Sequence, residues 1–244
     1  MAFDFKLVWE TLPTLLAGAG VTLQLTAAGV GIGLVLGTLL GICRTSPYRV
    51  LSVPASIYVE FVRGTPLLVQ IFIIYMGVPA VLSISFDRMV AAIAALGLNS
   101  GAYVAEIVRA GIQGVDMGQV EAARSLGMSG SQTMRYIVLP QAFRKVIPPL
   151  VNEFIALLKD SSLVAVISLE ELFRKAQLVQ ARTFRPFEMY FSVAIIYLAM
   201  TLSLSALARY LERRLDLARR GREVAEQGVP PVDVEPSSVA TSSI

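Results

Sequence analysis

Long apolar runs alternate with short polar interruptions along most of this chain. The first run, Leu15 to Cys43, holds no charged residue and exceeds the roughly twenty residues a helix needs to cross a bilayer. A second runs from about Pro54 to Leu82, broken by Glu60, Arg63 and the triplet Gly64-Thr65-Pro66. A third covers Met89 to Ile112, a fourth Ile147 to Leu169, and a fifth Phe187 to Ala208, in which Glu188 is the only charge. The pattern predicts an all-α integral membrane protein with five transmembrane helices. Composition agrees: 16% of the 244 residues are charged and mean hydropathy is +0.66, where a soluble domain carries roughly a quarter of its residues as charge.

Within the runs, small and polar residues carry the detail. Gly33, Gly37 and Gly41 recur at every fourth position, on one helix face where a neighbouring backbone can approach closely. Pro66 cannot donate to the carbonyl of Val62, and Thr65-Pro66 is an N-cap and first-position pair for a restarted helix, so the second span is predicted to be kinked or broken there. The break either offers free amides to an anionic group or is a structural kink beside an i, i+3 pair of Glu60 and Arg63. In the third span Asn99 and Ser100 either bond across helices or line a cavity, while Glu106 and Arg109 form an interfacial pair. The fourth span holds Asn152, Glu153, Lys159, Asp160, Ser161 and Ser162. Glu153 and Asp160 lie seven residues apart on one helix face, with Asn152 and Lys159 one step round. Such groups are costly against lipid, so that face looks into the protein, as a packing network or a transport pathway. Arg63, Thr65, Asn99, Ser100, Glu153, Lys159, Asp160 and Ser161 are therefore the candidate substrate-binding residues.

Outside the spans, residues 1–14 form an interfacial segment with Phe3, Phe5 and Trp9 among charges, and residues 15–222 are read as the membrane domain. Leu169 to Gln180 reads as a surface helix with Leu169, Leu172, Phe173 and Ala176 on its apolar side. Arg209, Arg213, Arg214, Arg219, Arg220 and Arg222 hold the end of the fifth span in the cytosol, which puts the C-terminus inside and the N-terminus outside. The Pro-, Val- and Ser-rich composition of 223–244 predicts a disordered cytoplasmic tail.

The polar loop between the third and fourth spans, Glu121 to Pro140, carries the most specific pattern. Asp116 with Gln119 and Ser129 with Gln132 predict the starts of two short helices, Gly127 stops the first and Pro140 closes the loop. Glu121-Ala122-Ala123, three residues, Gly127, nine residues, then Ile137-x-Leu139-Pro140 resembles the EAA signature of membrane subunits of ABC-type importers. FVRGTPLLVQ, LNSGAYVAEIVRAGI and NEFIALLKDSSLVAVI extend the likeness, from about Leu15 to Arg220, to permeases of polar amino-acid importers of the histidine, glutamine, arginine and opine type. The resemblance implies a bacterial inner-membrane subunit whose loop, through Glu121, Ala122, Ala123, Gly127, Ile137, Leu139 and Pro140, docks on cytosolic ATPase subunits. It further implies a paired permease core, either a second copy or a paralogue, an extracytoplasmic solute-binding protein and an amino-acid substrate.

Several chemistries are excluded. There is no G-x-x-x-x-G-K-[ST] loop, so ATP and its Mg²⁺ belong on the partner ATPase and the chain itself binds no cofactor. With no histidine and the lone Cys43, neither a Cys/His zinc site nor a disulfide framework can form. The basic balance sits near a membrane end and speaks of lipid headgroups, not nucleic acid. A hydrolase would need Lys159 with Ser161 or Ser162, which fall on different helix faces. A channel pore could use the polar residues of the second to fourth spans but has no use for a docking loop.

Overall fold

A computed structural model describes residues 3–215, with side chains through 209, and the described residues form helices without a strand. The tail predicted for 223–244 lies outside them. Helix α1 (Phe5–Thr45) starts where Asp4 accepts from the Leu7 N–H, so the described part of the N-terminal segment is simply its first turns. A short link leads to α2 (Arg49–Arg63), then α3 (Leu67–Phe72), a π-turn (Ile73–Gly77) and α4 (Val78–Leu82). Asp87 caps α5 (Arg88–Gln113). The polar loop holds α6 (Met117–Ser125) and α7 (Gly130–Thr133), and a second π-turn (Met134–Val138) leads into α8 (Leu139–Asp160). A 3₁₀ segment (Ser161–Ile167), α9 (Leu172–Thr183) and α10 (Pro186–Leu215) complete the order.

Among the described residues, α1, α5 and α10 are long and apolar enough to cross a membrane, and Arg49–Arg63 with Leu67–Leu82 adds a fourth crossing if its two limbs, bent by 104°, count as one. The bend falls at Gly64-Thr65-Pro66, as the missing proline N–H predicts.

The glycine stripe of α1 is the seam on which the rest is hung. Gly29, Gly33, Gly37 and Gly41 meet Leu96, Ser100, Val104 and Val108 in turn, so α1 and α5 run parallel. A Cβ built at Gly37 would sit 2.5 Å from Val104 Cβ, and at Gly97 2.8 Å from Ile32 Cβ, so each helix supplies the gaps the other fills. On one side of this seam Leu25, Ile71, Leu96, Leu157 and Val164 join α3, α5, α8 and the 3₁₀ segment to α1. At the N-terminal end Leu15, Leu172, Ala176, Met189 and Val193 pack α9 between α1 and α10. Buried Glu171 caps α9, accepting from the Phe173 and Arg174 N–H groups at 2.9 and 2.7 Å and from the Tyr197 hydroxyl at 3.1 Å.

The structure corrects the sequence reading at Pro140 and at one end of a helix. Pro140 does not close the loop. The chain passes from α7 through the π-turn into α8, with Pro140 directly after the π-turn, whose wider register accommodates the missing N–H. Pro148 and Pro149 lie inside α8. That helix ends at Asp160 and the predicted span continues as 3₁₀ turns. The predicted surface helix begins at Leu172, later than Leu169, because Glu171 supplies the cap.

Candidate functional site

The α2–α3 break opens a cavity of about 500 Å³, lined by Arg63, Gly64, Thr65, Pro66, Leu67, Asn99, Tyr103, Glu153, Ala156 and Asp160. Five predicted substrate residues, Arg63, Thr65, Asn99, Glu153 and Asp160, thus meet in one place although they come from three segments of the chain. Glu153 and Asp160 share the cavity because seven residues is two turns of α8, about 10 Å of rise. Tyr103, one turn beyond Asn99 on α5, was not anticipated; Arg63 lies over its ring at 5.4 Å from the centroid.

Three predicted residues lie elsewhere. Lys159 lines a separate groove with Ser162, Phe173, Tyr190 and Tyr197, since one residue along a helix is a turn of about 100°. Ser161 is buried and its hydroxyl donates to the Leu158 carbonyl at 2.7 Å. Ser100 is buried against Gly33, with no hydrogen-bond partner among the described residues.

Of the two readings of the break, the one with a Glu60–Arg63 pair is not what the structure holds. Arg63 Nη1 lies 3.5 Å from Glu106 Oε2, and Glu60 is exposed. Glu106 pairs with Arg109 as predicted and in addition accepts from Arg44 of α1 at 2.5 Å. One carboxylate therefore gathers guanidinium groups from α1, α2 and α5, and the outermost of them, Arg63, also faces the cavity. Thr65 does not cap α3 either. Its hydroxyl turns back to the Phe61 carbonyl at 2.9 Å, and Pro66 is the residue flanking α3.

The second candidate region is the polar loop. Gly127 has φ +82°, and its N–H and that of Met128 return to the Arg124 and Ala123 carbonyls, closing α6 with a glycine-dependent cap. Ser129 and Gln132 form the complete capping box read from the sequence, at 3.3 and 2.7 Å. Val120 of α6 packs against Val115, Val138 and Ala142, which ties the loop to the π-turn and the start of α8, and Gln141 bonds Gln119 at 2.7 Å. Of the signature residues, Glu121, Ala122, Gly127, Leu139 and Pro140 are exposed, Ile137 is half-buried, and Ala123 is buried under the loop itself. Leu126 and Met117, at 85% and 64% exposure, add an apolar surface the sequence reading passed over. From Gly130 to Asp160 the backbone stays helical through the π-turn, so loop and cavity wall belong to one continuous rod.

Residues 29–217 match the family of binding-protein-dependent transport system inner membrane components. The glutamine transport system permease protein of Escherichia coli (strain K12) is 40% identical over 218 residues, 89% of this chain and 100% of that protein. The arginine transport system permease protein of Bacillus subtilis (strain 168) is 40% identical over 215 residues, 88% of this chain and 98% of its own length. Among solved structures, an amino acid ABC transporter crystallised with histidines matches at 44% identity and a TM-score of 0.83, covering 88% of this chain and 100% of that one. The MetNI methionine ABC transporter in an inward-facing form shares the fold, with a TM-score of 0.71 at 18% identity over 84% of this chain and 97% of that one.

Proposed function

The chain belongs to the binding-protein-dependent transport system inner membrane component family, and from that membership we propose that the cavity at the α2–α3 break holds a polar or basic amino acid during import. It is a multi-pass permease subunit of an inner-membrane ABC importer and not itself an enzyme. The observation that carries the substrate proposal is the convergence of Arg63, Thr65, Asn99, Glu153 and Asp160 on one cavity. Arg63 suits a carboxylate, and Glu153 with Asp160 suits an ammonium or a cationic side chain. Amino acids are also the substrates in the names of the relatives, glutamine for one and arginine for another.

Five crossings, with α8 as the fourth despite its charges, an outward N-terminus and an inward C-terminus complete the proposed topology. The loop through Glu121, Ala122, Gly127, Leu139 and Pro140 meets the ATPase, which holds ATP and Mg²⁺, and the helical rod from Gly130 to Asp160 carries its movement to the cavity wall. A second permease chain and a solute-binding protein complete the importer. Two importer chains paired across a two-fold axis would shield the polar faces that one chain leaves open. The test is uptake by proteoliposomes holding the assembled importer. Glu153→Gln and Asp160→Asn should each depress uptake of the preferred amino acid at least tenfold, about the cost of one charge-assisted bond, with assembly intact. Unchanged uptake and preference in both would make α8 a scaffold.

A further inference from the structure

Pro66 has no N–H, so the carbonyl of Val62 four residues earlier loses its helical donor. Gln70 replaces it from one turn into α3. Its Nε2 donates to the Val62 carbonyl at 2.7 Å and lies 3.1 Å from the Thr65 carbonyl and 2.9 Å from Thr65 Oγ1. A side-chain amide has a donor end and an acceptor end. With the donor end committed to the break, Gln70 presents Oε1 to α5, where Asn99 Nδ2 donates to it at 3.0 Å. Asn99 is in turn committed: its nitrogen points at Gln70, and its Oδ1 has no partner among the described residues yet is not enclosed. The space Asn99 lines is the cavity. One absent N–H thus fixes the polarity of the whole row, Val62 to Gln70 to Asn99.

We infer that Gln70, which does not itself line the cavity, is a positioning residue that turns Asn99 so that it presents an acceptor to the cavity and selects a substrate N–H at that point. This rests on the cavity being the substrate site. Asn99 Oδ1 then joins the carboxylates of Glu153 and Asp160 in an acceptor wall formed by α5 and α8, in a cavity that Arg63 of α2 also lines. A substrate ammonium, guanidinium or carboxamide nitrogen fits this wall. A carboxylate does not, and is directed towards Arg63.

The experiment is equilibrium binding of L-glutamine and L-arginine to the purified permease–ATPase complex in detergent, without binding protein, alongside thermal stability of the ligand-free complex. Asn99→Ala and Gln70→Leu should each weaken binding about tenfold, the equivalent of one buried hydrogen bond. Because both remove the same acceptor, the double variant should also lose about tenfold. Gln70→Glu keeps an acceptor for Asn99 Nδ2, so it should hold the Asn99 amide as in the parent and keep binding within about twofold, a rescue that a merely structural role for Gln70 would not give. Multiplicative losses near a hundredfold in the double variant, or a loss in Gln70→Glu as large as in Gln70→Leu, overturn the relay. Unchanged binding in both Glu153→Gln and Asn99→Ala overturns the cavity as the substrate site, a different failure from a normal Glu153→Gln loss with multiplicative Gln70 effects.

Discussion

Gly37 and Gly31 stand six residues apart on α1, and alanine at the two positions should move stability in opposite directions. At Gly37 the added methyl would lie 2.5 Å from Val104 Cβ and 2.6 Å from the Gly101 carbonyl, against an optimum of roughly 3.5–4.0 Å for carbon pairs. The seam must open by about 1 Å, and overpacking of that kind costs about 1–3 kcal/mol. The higher helix propensity of alanine offsets up to about 1 kcal/mol, which leaves a net loss on the order of 1–2 kcal/mol. At Gly31 nothing lies within 4 Å, so only the propensity gain remains. Heating the purified complex in detergent and following the retained assembly by size-exclusion chromatography reads both. Gly37→Ala should lower the midpoint by roughly 5 °C and Gly31→Ala raise it by about 2 °C, on the usual conversion for a chain of this size. A neutral or stabilising Gly37→Ala would mean that α1 and α5 do not pack this closely.

Three further outcomes follow from other parts of the structure. Gly127 sits at φ +82° with open space around it, so Gly127→Val should cost about 1–2 kcal/mol by backbone strain alone and abolish coupled ATPase stimulation, while Gly127→Asn, which tolerates that conformation, should retain it; equal activity in both would sink the argument. Glu106→Gln strands the guanidinium groups of Arg44, Arg63 and Arg109 together, and since the cluster is only partly exposed the complex should lose on the order of 2 kcal/mol, less than for a fully buried pair, in the same heating assay. For topology, a cysteine introduced by Gln177→Cys with Cys43→Ala should react with an impermeant maleimide in intact cells; labelling only after lysis would reverse the proposed orientation.

What could be read in the sequence follows a physical line. Spacing along one helix was enough for the glycine seam and for Glu153 with Asp160, because both are properties of helical geometry alone. Lost donor chemistry was enough for the break at Pro66. Partners from distant segments were not legible: Arg44 meets Glu106 from 62 residues away, and nothing local marks it. Gln70 stood in a quoted motif, but its task appears only once α3 folds back over the end of α2. Lys159 is read one step round the helix from Asp160, and the structure shows that this step of about 100° is enough to put it in a separate groove. Pro140 misled for a related reason, since the π-turn before it accommodates the missing N–H without ending the helix.

The central claim, that the cavity at the helix break receives the transported amino acid, is tested most directly by filling it. Ala156 of α8 lines the cavity, and Ala156→Trp places an indole there. Binding of radiolabelled L-glutamine or L-arginine to the purified permease–ATPase complex, measured without binding protein, should saturate in the parent and vanish in Ala156→Trp while the complex still assembles and hydrolyses ATP. Binding of undiminished affinity in Ala156→Trp would place the substrate elsewhere and contradict the account.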